Sequence, residues 1–357
     1  MVARVMILAG GTGGHIFPAL AVAEALRAQG CELCWMGTEA GMEARLVPPQ
    51  GIPVEWLSVA GFRGKGWRAK LRAPFKLLLA CWQAGRILRR FKPDVVLGMG
   101  GFVAGPGGIM AKVLGIPLVI HEQNRIPGTT NRLLVKYAKR VLEAFPGSFT
   151  TGAGAVCMGN PLRQAIVKAM AQEKPPRGED GAPRLLIVGG SLGAKALNEI
   201  VPEALALASV KFNVRHQTGE ALRAETEAHY ARLGVEAEVV AFIQDMAEAY
   251  RWADLAICRA GAMTVSELAA AALPAILVPF PYAIDDHQTA NGRYFSEAGA
   301  ALLLPQSELT PQRLSEQLNA LIQAHESLAA MSRNARSLAR LDAAQAVAEV
   351  CLSEAGA

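Results

Sequence analysis

The chain has 357 residues, 52% of them hydrophobic and 19% charged, with a formal net charge of +5. That length suits two ordinary domains better than one core, and the apolar content excludes a disordered chain. The charge is local: residues 56–93 hold ten basic side chains and no acidic one, leaving the rest near −5, which points to an anionic surface or substrate and away from wholesale nucleic-acid binding.

In chain order, residues 2–9 read as a strand, GGTGGH (10–15) as a glycine turn, and 17–29 as a helix with Gly30 at its stop. CELCWMG (31–37) is a second strand. Its lone Cys31-x2-Cys34 pair lacks the second ligand pair a zinc site needs, so the thiols read as core residues in a reducing cytoplasm. Residues 70–90, if helical, carry more apolar positions than one narrow face holds, interleaved with basic ones. Such a helix lies on anionic headgroups or is an ordinary surface helix packed on a sheet. PDVVLGMGG (93–101) gives another strand, followed by a helix and the strand IPLVIHE (116–122).

GNPLRQAI (159–166) reads as a linker, followed by a loop rich in Pro and charge (172–184). The plan then restarts: 185–201 is strand, glycine turn and helix, and further strands fall in FNVRHQTG, EVVAF, LAICRAG and PAILVPF. Strands alternating with helices in both halves predict two doubly wound α/β domains with parallel sheets. The Ala-rich tail 327–352 is helical with no further strand. The apolar uncharged run 268–284 is broken by Pro274, Pro279 and Pro281, so a membrane role would be peripheral, and no secretory signal is visible.

Three glycine loops end strands, at 10–14, 98–108 and 189–193. An open backbone leading into a helix N-terminus favours phosphate or developing negative charge, and ligands of open α/β sheets bind at these carboxyl ends. None is a strict G-x-G-x-x-G, and no Walker lysine is present. His15 follows the first loop, where it is a general base or a residue that caps and packs the helix start. HEQN (121–124) ends a buried strand, as ligand-facing polar groups or as a solvated loop. In CRAGAMTVSELAAAALP (258–274), Thr264 and Ser266 cap the helix or hold phosphate oxygens. Glu267 there accepts ribose hydroxyls or complements the helix dipole. In DDHQTAN (285–291), His287, Gln288 and Asn291 are sugar-hydroxyl partners, and adjacent Asp285-Asp286 is a poor metal pair.

GGTGGHIFPALAVA, HEQNRIPGTTNR, GGSLGAKALN and CRAGAMTVSELAAAALPAILVPFP, in this order and spacing over nearly the whole chain, resemble the MurG family. These are UDP-N-acetylglucosamine:N-acetylmuramyl-(pentapeptide) pyrophosphoryl-undecaprenol N-acetylglucosamine transferases. The resemblance implies an α/β GT-B fold of two Rossmann-like domains facing a cleft. Residues 1–160 would bind acceptor and membrane, 161–338 the UDP-sugar, and 339–357 would form a helix packing back on the N-terminal domain. The implied reaction is inverting transfer of N-acetylglucosamine to an undecaprenyl-diphosphate-linked muramyl-pentapeptide in peptidoglycan synthesis. It would run on the cytoplasmic face of the inner membrane, without metal or other cofactor. Other envelope-synthesis proteins are expected partners and nucleic acid is not.

Carried over by position, His15 is the implied catalytic base, with Glu122 its competitor. Thr12, Gly13 and Gly14 match the loop that meets donor and acceptor. Asn124, Arg163 and Ser191 match donor contacts. Ile243 matches the position whose backbone reads the uracil edge. Ala262, Met263, Thr264, Val265, Ser266 and Glu267 match the stretch around diphosphate and ribose. Gln288 and Asn291 match contacts to the sugar hydroxyls. Trp67, Arg68, Lys70, Arg72, Phe75, Lys76, Leu79 and Trp82 form the expected membrane patch. Three places depart from the pattern: Phe102 stands where Tyr is frequent, Ala260 where Ser is common, and Asp285-Asp286-His287 is unusual. Two rivals stay open, a UDP-sugar 2-epimerase and a non-catalytic nucleotide-sugar sensor.

Overall fold

A computed structural model describes residues 2–58, 67–176, 181–190 and 193–356, without the side chains of 67–73, 284 and 325. The chain divides into two units, Met1–Arg163 with Arg340–Ala357, and Gln164–Ala339.

The first unit runs β1 (Arg4–Ala9), α1 (Gly13–Ala28), β2 (Glu32–Gly37), α2 (Glu43–Leu46), β3 (Val54–Trp56), α3 (Trp67–Phe91), β4 (Val95–Gly100), α4 (Ala104–Val113), β5 (Leu118–Glu122), α5 (Thr129–Leu134), β6 (Arg140–Glu143) and β7 (Val156–Cys157). Its seven strands lie in the order β3-β2-β1-β4-β5-β6-β7, every pair parallel. Alternate residues of β1 serve opposite faces, as the two-residue repeat of a strand requires. Val5 and Ile7 join Trp35, Leu97, Val22 and Leu26 on one side. Met6 and Leu8 join Met36, Val96, Ala84 and Leu88 on the other. Cover on both faces is why these strands read as continuous apolar runs.

The second unit runs α6 (Gln164–Ala169), β8 (Arg184–Val188), α7 (Lys195–Leu207), β9 (Asn213–Gln217), α8 (Arg223–Leu233), β10 (Glu238–Val240), α9 (Met246–Trp252), β11 (Leu255–Cys258), α10 (Ala262–Ala270), β12 (Ala275–Leu277), α11 (His287–Glu297), β13 (Ala301–Leu303), α12 (Pro311–Gln323) and α13 (His325–Ser337). Its parallel sheet has the order β10-β9-β8-β11-β12-β13. Both sheets thus reverse direction beside their first strand, the topology of two Rossmann-like domains.

The tail splits into α13 and a final helix, α14 (Ala343–Ala355). Val347, Ala348 and Cys351 of α14 are fully buried against α1 and β4 in the first unit. The segment read as a linker is divided: Pro161 and Leu162 are buried, and α6 begins at Gln164. α1 starts at Gly13, inside the glycine run and earlier than the sequence pattern indicates, with Thr12 extended before it. Strands β3, β6, β7 and β13, of four residues or fewer, were not read from the sequence, whereas the equally short β10, β11 and β12 lie within longer apolar runs that were.

Candidate active site

In the first unit the sheet reverses between β1 and β4, whose carboxyl ends carry the glycine loops at residues 10–14 and 100–102. Thr12, Gly13 and Gly14 form the turn into α1, and no side chain caps that helix. His15 sits in its first turn, half-buried, with its ring against Gly100. A Cβ on Gly100, whose φ is +102°, would come within 2.9 Å of that ring. Glycine is needed there both for the backbone angle and for the space. His15 Nδ1 lies 2.7 Å from Gln123 Oε1.

Gln123 Nε2 lies 3.1 Å from His121 Nδ1, and His121 Nε2 lies 2.9 Å from the Gly159 carbonyl. His121 is fully buried, and desolvation pushes its pKa down to about 4, outweighing its bond to Gly159 and the nearby Glu122 charge.

Glu122 is buried among donors. Oε1 accepts from the Asn124 amide at 2.9 Å and from Asn124 Nδ2 at 3.2 Å, and Oε2 from the Gly128 amide at 3.0 Å and Asn131 Nδ2 at 2.9 Å. Four donors fill the lone-pair directions of an ionised carboxylate. Asn124 is thereby held at the end of β5. The Arg163 guanidinium lies 5.2 Å from the centre of the Phe17 ring, a cation–π contact near the start of α1. Phe102 is exposed at the end of β4.

Glu43 was not singled out from the sequence. It is fully buried on α2 and holds the first glycine loop. Its Oε2 accepts from the Gly11 amide at 3.0 Å, and its Oε1 from the Thr38 amide at 2.8 Å and hydroxyl at 2.7 Å. Gln123 was quoted within HEQN but given no role. No local sequence signal marks either partnership, since each joins residues far apart in the chain.

In the second unit, β8 runs on into Gly189 and Gly190, and Ser191 lies outside the described residues. Gln217 Nε2 donates to Gly190 O at 2.9 Å and Ala241 O at 3.1 Å, fastening this loop to the exit of β10. A Cβ on Gly193, at φ +76°, would meet Thr218 O at 1.8 Å. Ile243 is half-buried in the short connection between β10 and α9.

β11 feeds α10 through Ala260 and Gly261, and the helix start carries no side-chain cap. Its first turn, Ala262, Met263 and Thr264, presents backbone N–H groups and the positive end of the helix dipole. Val265 is buried, and Ser266 Oγ donates back to Ala262 O at 2.9 Å, so its hydrogen is committed within the helix. Glu267 is buried and accepts from Tyr250 OH at 2.9 Å.

Gln288 Oε1 accepts from the Phe280 amide at 2.9 Å, leaving its amide hydrogens for other partners. Asn291 is fully buried and donates to Ala260 O at 3.3 Å, tying α11 to the turn before α10. Arg259, also not singled out, bonds Val278 O and Pro279 O at 3.1 Å and Gln306 at 2.7 Å, and burial lowers its pKa. It joins the exits of β11 and β12.

Asp285 and Asp286 both have positive φ, and Asp286 accepts from Thr289 Oγ1 at 2.6 Å. Among the described residues no group of three or more His, Cys, Asp or Glu is placed to hold a metal ion. Cys31, Cys34, Cys258 and Cys351 are buried, while Cys81 and Cys157 are half-buried.

α3 divides into two halves. Ala80, Ala84 and Leu88 are buried against the sheet. Every residue from 74 to 79 is exposed, including Phe75, Lys76, Leu78 and Leu79, as is Trp82 one turn on. A helix packed along its whole length would hide one side of that stretch. The side chains of Trp67, Arg68, Lys70 and Arg72 lie outside the described residues. No helix among the described residues is long and apolar enough to cross a membrane.

Residues 5–143 match the glycosyltransferase family 28 N-terminal domain and 184–350 its C-terminal domain. The chain is 64% identical, over 100% of both lengths, to the UDP-N-acetylglucosamine--N-acetylmuramyl-(pentapeptide) pyrophosphoryl-undecaprenol N-acetylglucosamine transferase of Methylococcus capsulatus. It is 55% identical to the protein of the same name from Nitrosococcus oceani, covering 99% of each. The crystal structure of Acinetobacter baumannii MurG superposes with a TM-score of 0.84 at 43% identity, over 98% of this chain and 99% of that one. CalG4, the calicheamicin glycosyltransferase, shares the fold at a TM-score of 0.67 and 20% identity, over 99% of each chain. Two parallel Rossmann-like sheets with these neighbours make a GT-B glycosyltransferase, and the chain belongs to the MurG family within glycosyltransferase family 28.

Proposed function

We propose that the chain transfers N-acetylglucosamine, with inversion, from UDP-N-acetylglucosamine to the undecaprenyl-diphosphate-linked N-acetylmuramyl-pentapeptide, converting lipid I to lipid II. The observation that carries this reading is full-length 64% identity to a transferase bearing that name.

In this reading the first unit takes the acceptor and the second the donor. His15 removes the proton from the attacking acceptor hydroxyl through Nε2, since Nδ1 is engaged by Gln123. Glu122 acts as the brace for Asn124 and the turn at Gly128, because taking a proton would displace one of its four donors. Thr12, Gly13 and Gly14 meet the substrates beside His15, and Arg163 and Asn124 contact the donor. In the second unit the start of α10, with Ser191, steadies the charge that builds on the departing diphosphate. Glu267 takes the ribose, the backbone at Ile243 reads the uracil, and Gln288 contacts the sugar. Asn291 acts on that subsite through Ala260.

The exposed apolar and basic half of α3 rests on the anionic cytoplasmic surface of the inner membrane, where a lipid-linked acceptor is found. Other envelope-synthesis proteins would meet the enzyme there.

The test is transfer of labelled N-acetylglucosamine from its UDP donor to the lipid-linked muramyl-pentapeptide, with an acceptor-free control. Acceptor-dependent label in the lipid product is expected. Donor binding without transfer would overturn the reading, and 2-epimerised free sugar would identify an epimerase.

A further inference from the structure

We infer that Gln123 is a positioning residue: anchored by His121 behind it, its amide holds His15 in the tautomer with the proton on Nδ1 and the lone pair on Nε2. The catalytic part of this inference rests on the reading of His15 as the base.

The argument begins at a group with no choice. The Gly159 carbonyl can only accept, so His121 Nε2, 2.9 Å away, donates. His121 is buried and neutral, so its Nδ1 carries a lone pair. Gln123 Nε2 donates to that lone pair at 3.1 Å and also to His121 O at 3.0 Å. Both amide hydrogens are then placed, and the orientation of the amide is set. Its oxygen faces His15 Nδ1 at 2.7 Å and cannot donate, so His15 does. A neutral imidazole has one N–H, which leaves the lone pair on Nε2.

The backbone around this chain is pinned as well. Asn131 Nδ2 donates to His121 O at 3.1 Å, and Asn160 Nδ2 donates to Gln123 O at 3.1 Å. From behind, Gly100 gives the His15 ring the room it occupies. The order of the amide and the two rings is thus determined from a buried carbonyl outward to a half-buried imidazole.

The chemistry explains the choice of an amide. With the proton on Nε2, His15 would present a donor to a hydroxyl that must itself lose a proton. Holding the other tautomer removes that wrong state. A carboxylate at this place would hold the same tautomer and also favour the imidazolium, whereas a neutral amide orients the ring without adding charge. The surrounding elements carry Glu43 and Glu122, each tied to backbone and side-chain donors, and Arg163, over the Phe17 ring, together with Glu24 and Arg27 further along α1 and Arg340 beside Gly159.

The test uses the full chain labelled with 15N-histidine, with His15 assigned by its loss in His15→Gln. Long-range 1H–15N correlations read the tautomer directly. Wild type is expected to carry the proton on Nδ1. Gln123→Leu should populate the other tautomer and lower kcat about 10- to 100-fold, with KM for both substrates within about threefold. Gln123→Glu should keep the tautomer and move the acid limb of kcat/KM up by about one pH unit.

A wild-type His15 protonated on Nε2, or a Gln123→Leu tautomer identical to wild type, overturns the relay. A changed tautomer with unchanged kcat overturns the base reading and with it the catalytic part of the inference. Should Gln123→Leu not fold, an acid limb unmoved in Gln123→Glu overturns the proposal.

Discussion

The Glu43 carboxylate accepts the Gly11 amide at 3.0 Å, tying the first glycine loop to a helix that begins 32 residues later. Its other oxygen holds Thr38 through two bonds. Glu43→Gln would turn one acceptor into a donor that faces N–H groups. The expected cost is about 1–3 kcal/mol in urea denaturation, with a raised KM from the loosened loop. Unchanged stability and KM would remove Glu43 from the site.

His15→Ala should lower turnover about 10²- to 10⁴-fold while donor Kd, read by calorimetry, stays within about threefold. Equal losses in both would make His15 a positioning group.

Gly193→Ala places a methyl group against the Thr218 carbonyl and strains a positive φ. The loop at residues 189–193 must then shift. UDP affinity should fall at least about tenfold, and stability by about 1–3 kcal/mol. Wild-type UDP affinity would separate this loop from the donor.

Phe75→Asp with Leu78→Asp should cut partition into anionic vesicles at least about tenfold without altering turnover of a water-soluble acceptor. Charge reversal at Arg68, Lys70 and Arg72 should weaken the same partition, most strongly at low salt. Vesicle binding that ignores both changes would refute the membrane surface on α3.

His121 and His216 are buried, and desolvation lowers their pKa values to about 4 and about 3. Above pH 6.5 both are neutral folded or unfolded, and their contribution to stability is full. Below it the unfolded chain gains protons that the folded chain refuses, so stability falls with pH toward those folded values. At pH 5 the loss is about 2 kcal/mol for each. Urea midpoints at pH 7 and pH 5 measure it, and His121→Asn should flatten the fall. A midpoint independent of pH over that window would contradict the burial argument.

The restart of strand, glycine turn and helix near residue 185 was enough to read two α/β units, because strands buried on both faces are continuous apolar runs bounded by glycines. The reading weakened where an element was short. β7 has two residues, and its place at the sheet edge follows only from pairing with β6. Within the site, His15 was legible because it follows a glycine loop directly in sequence, and the start of α10 because a strand runs into it through the small residues Ala260 and Gly261. Glu122 entered only through the resemblance, as the competitor to His15, and its four donors, from residues 124, 128 and 131, appear only once the chain has turned.

The sequence by itself determined the two parallel sheets, the glycine loops at their carboxyl ends and the family, because periodicity and local motifs are properties of neighbouring residues. Only the tertiary structure decided that Glu43 braces Gly11, that Gln123 faces His15, and which residues of the returning helix, Val347 and Cys351 among them, enter the core of the first unit. Each of these joins positions from 32 to more than 300 residues apart, and hydrogen bonds and burial depend on distance in space.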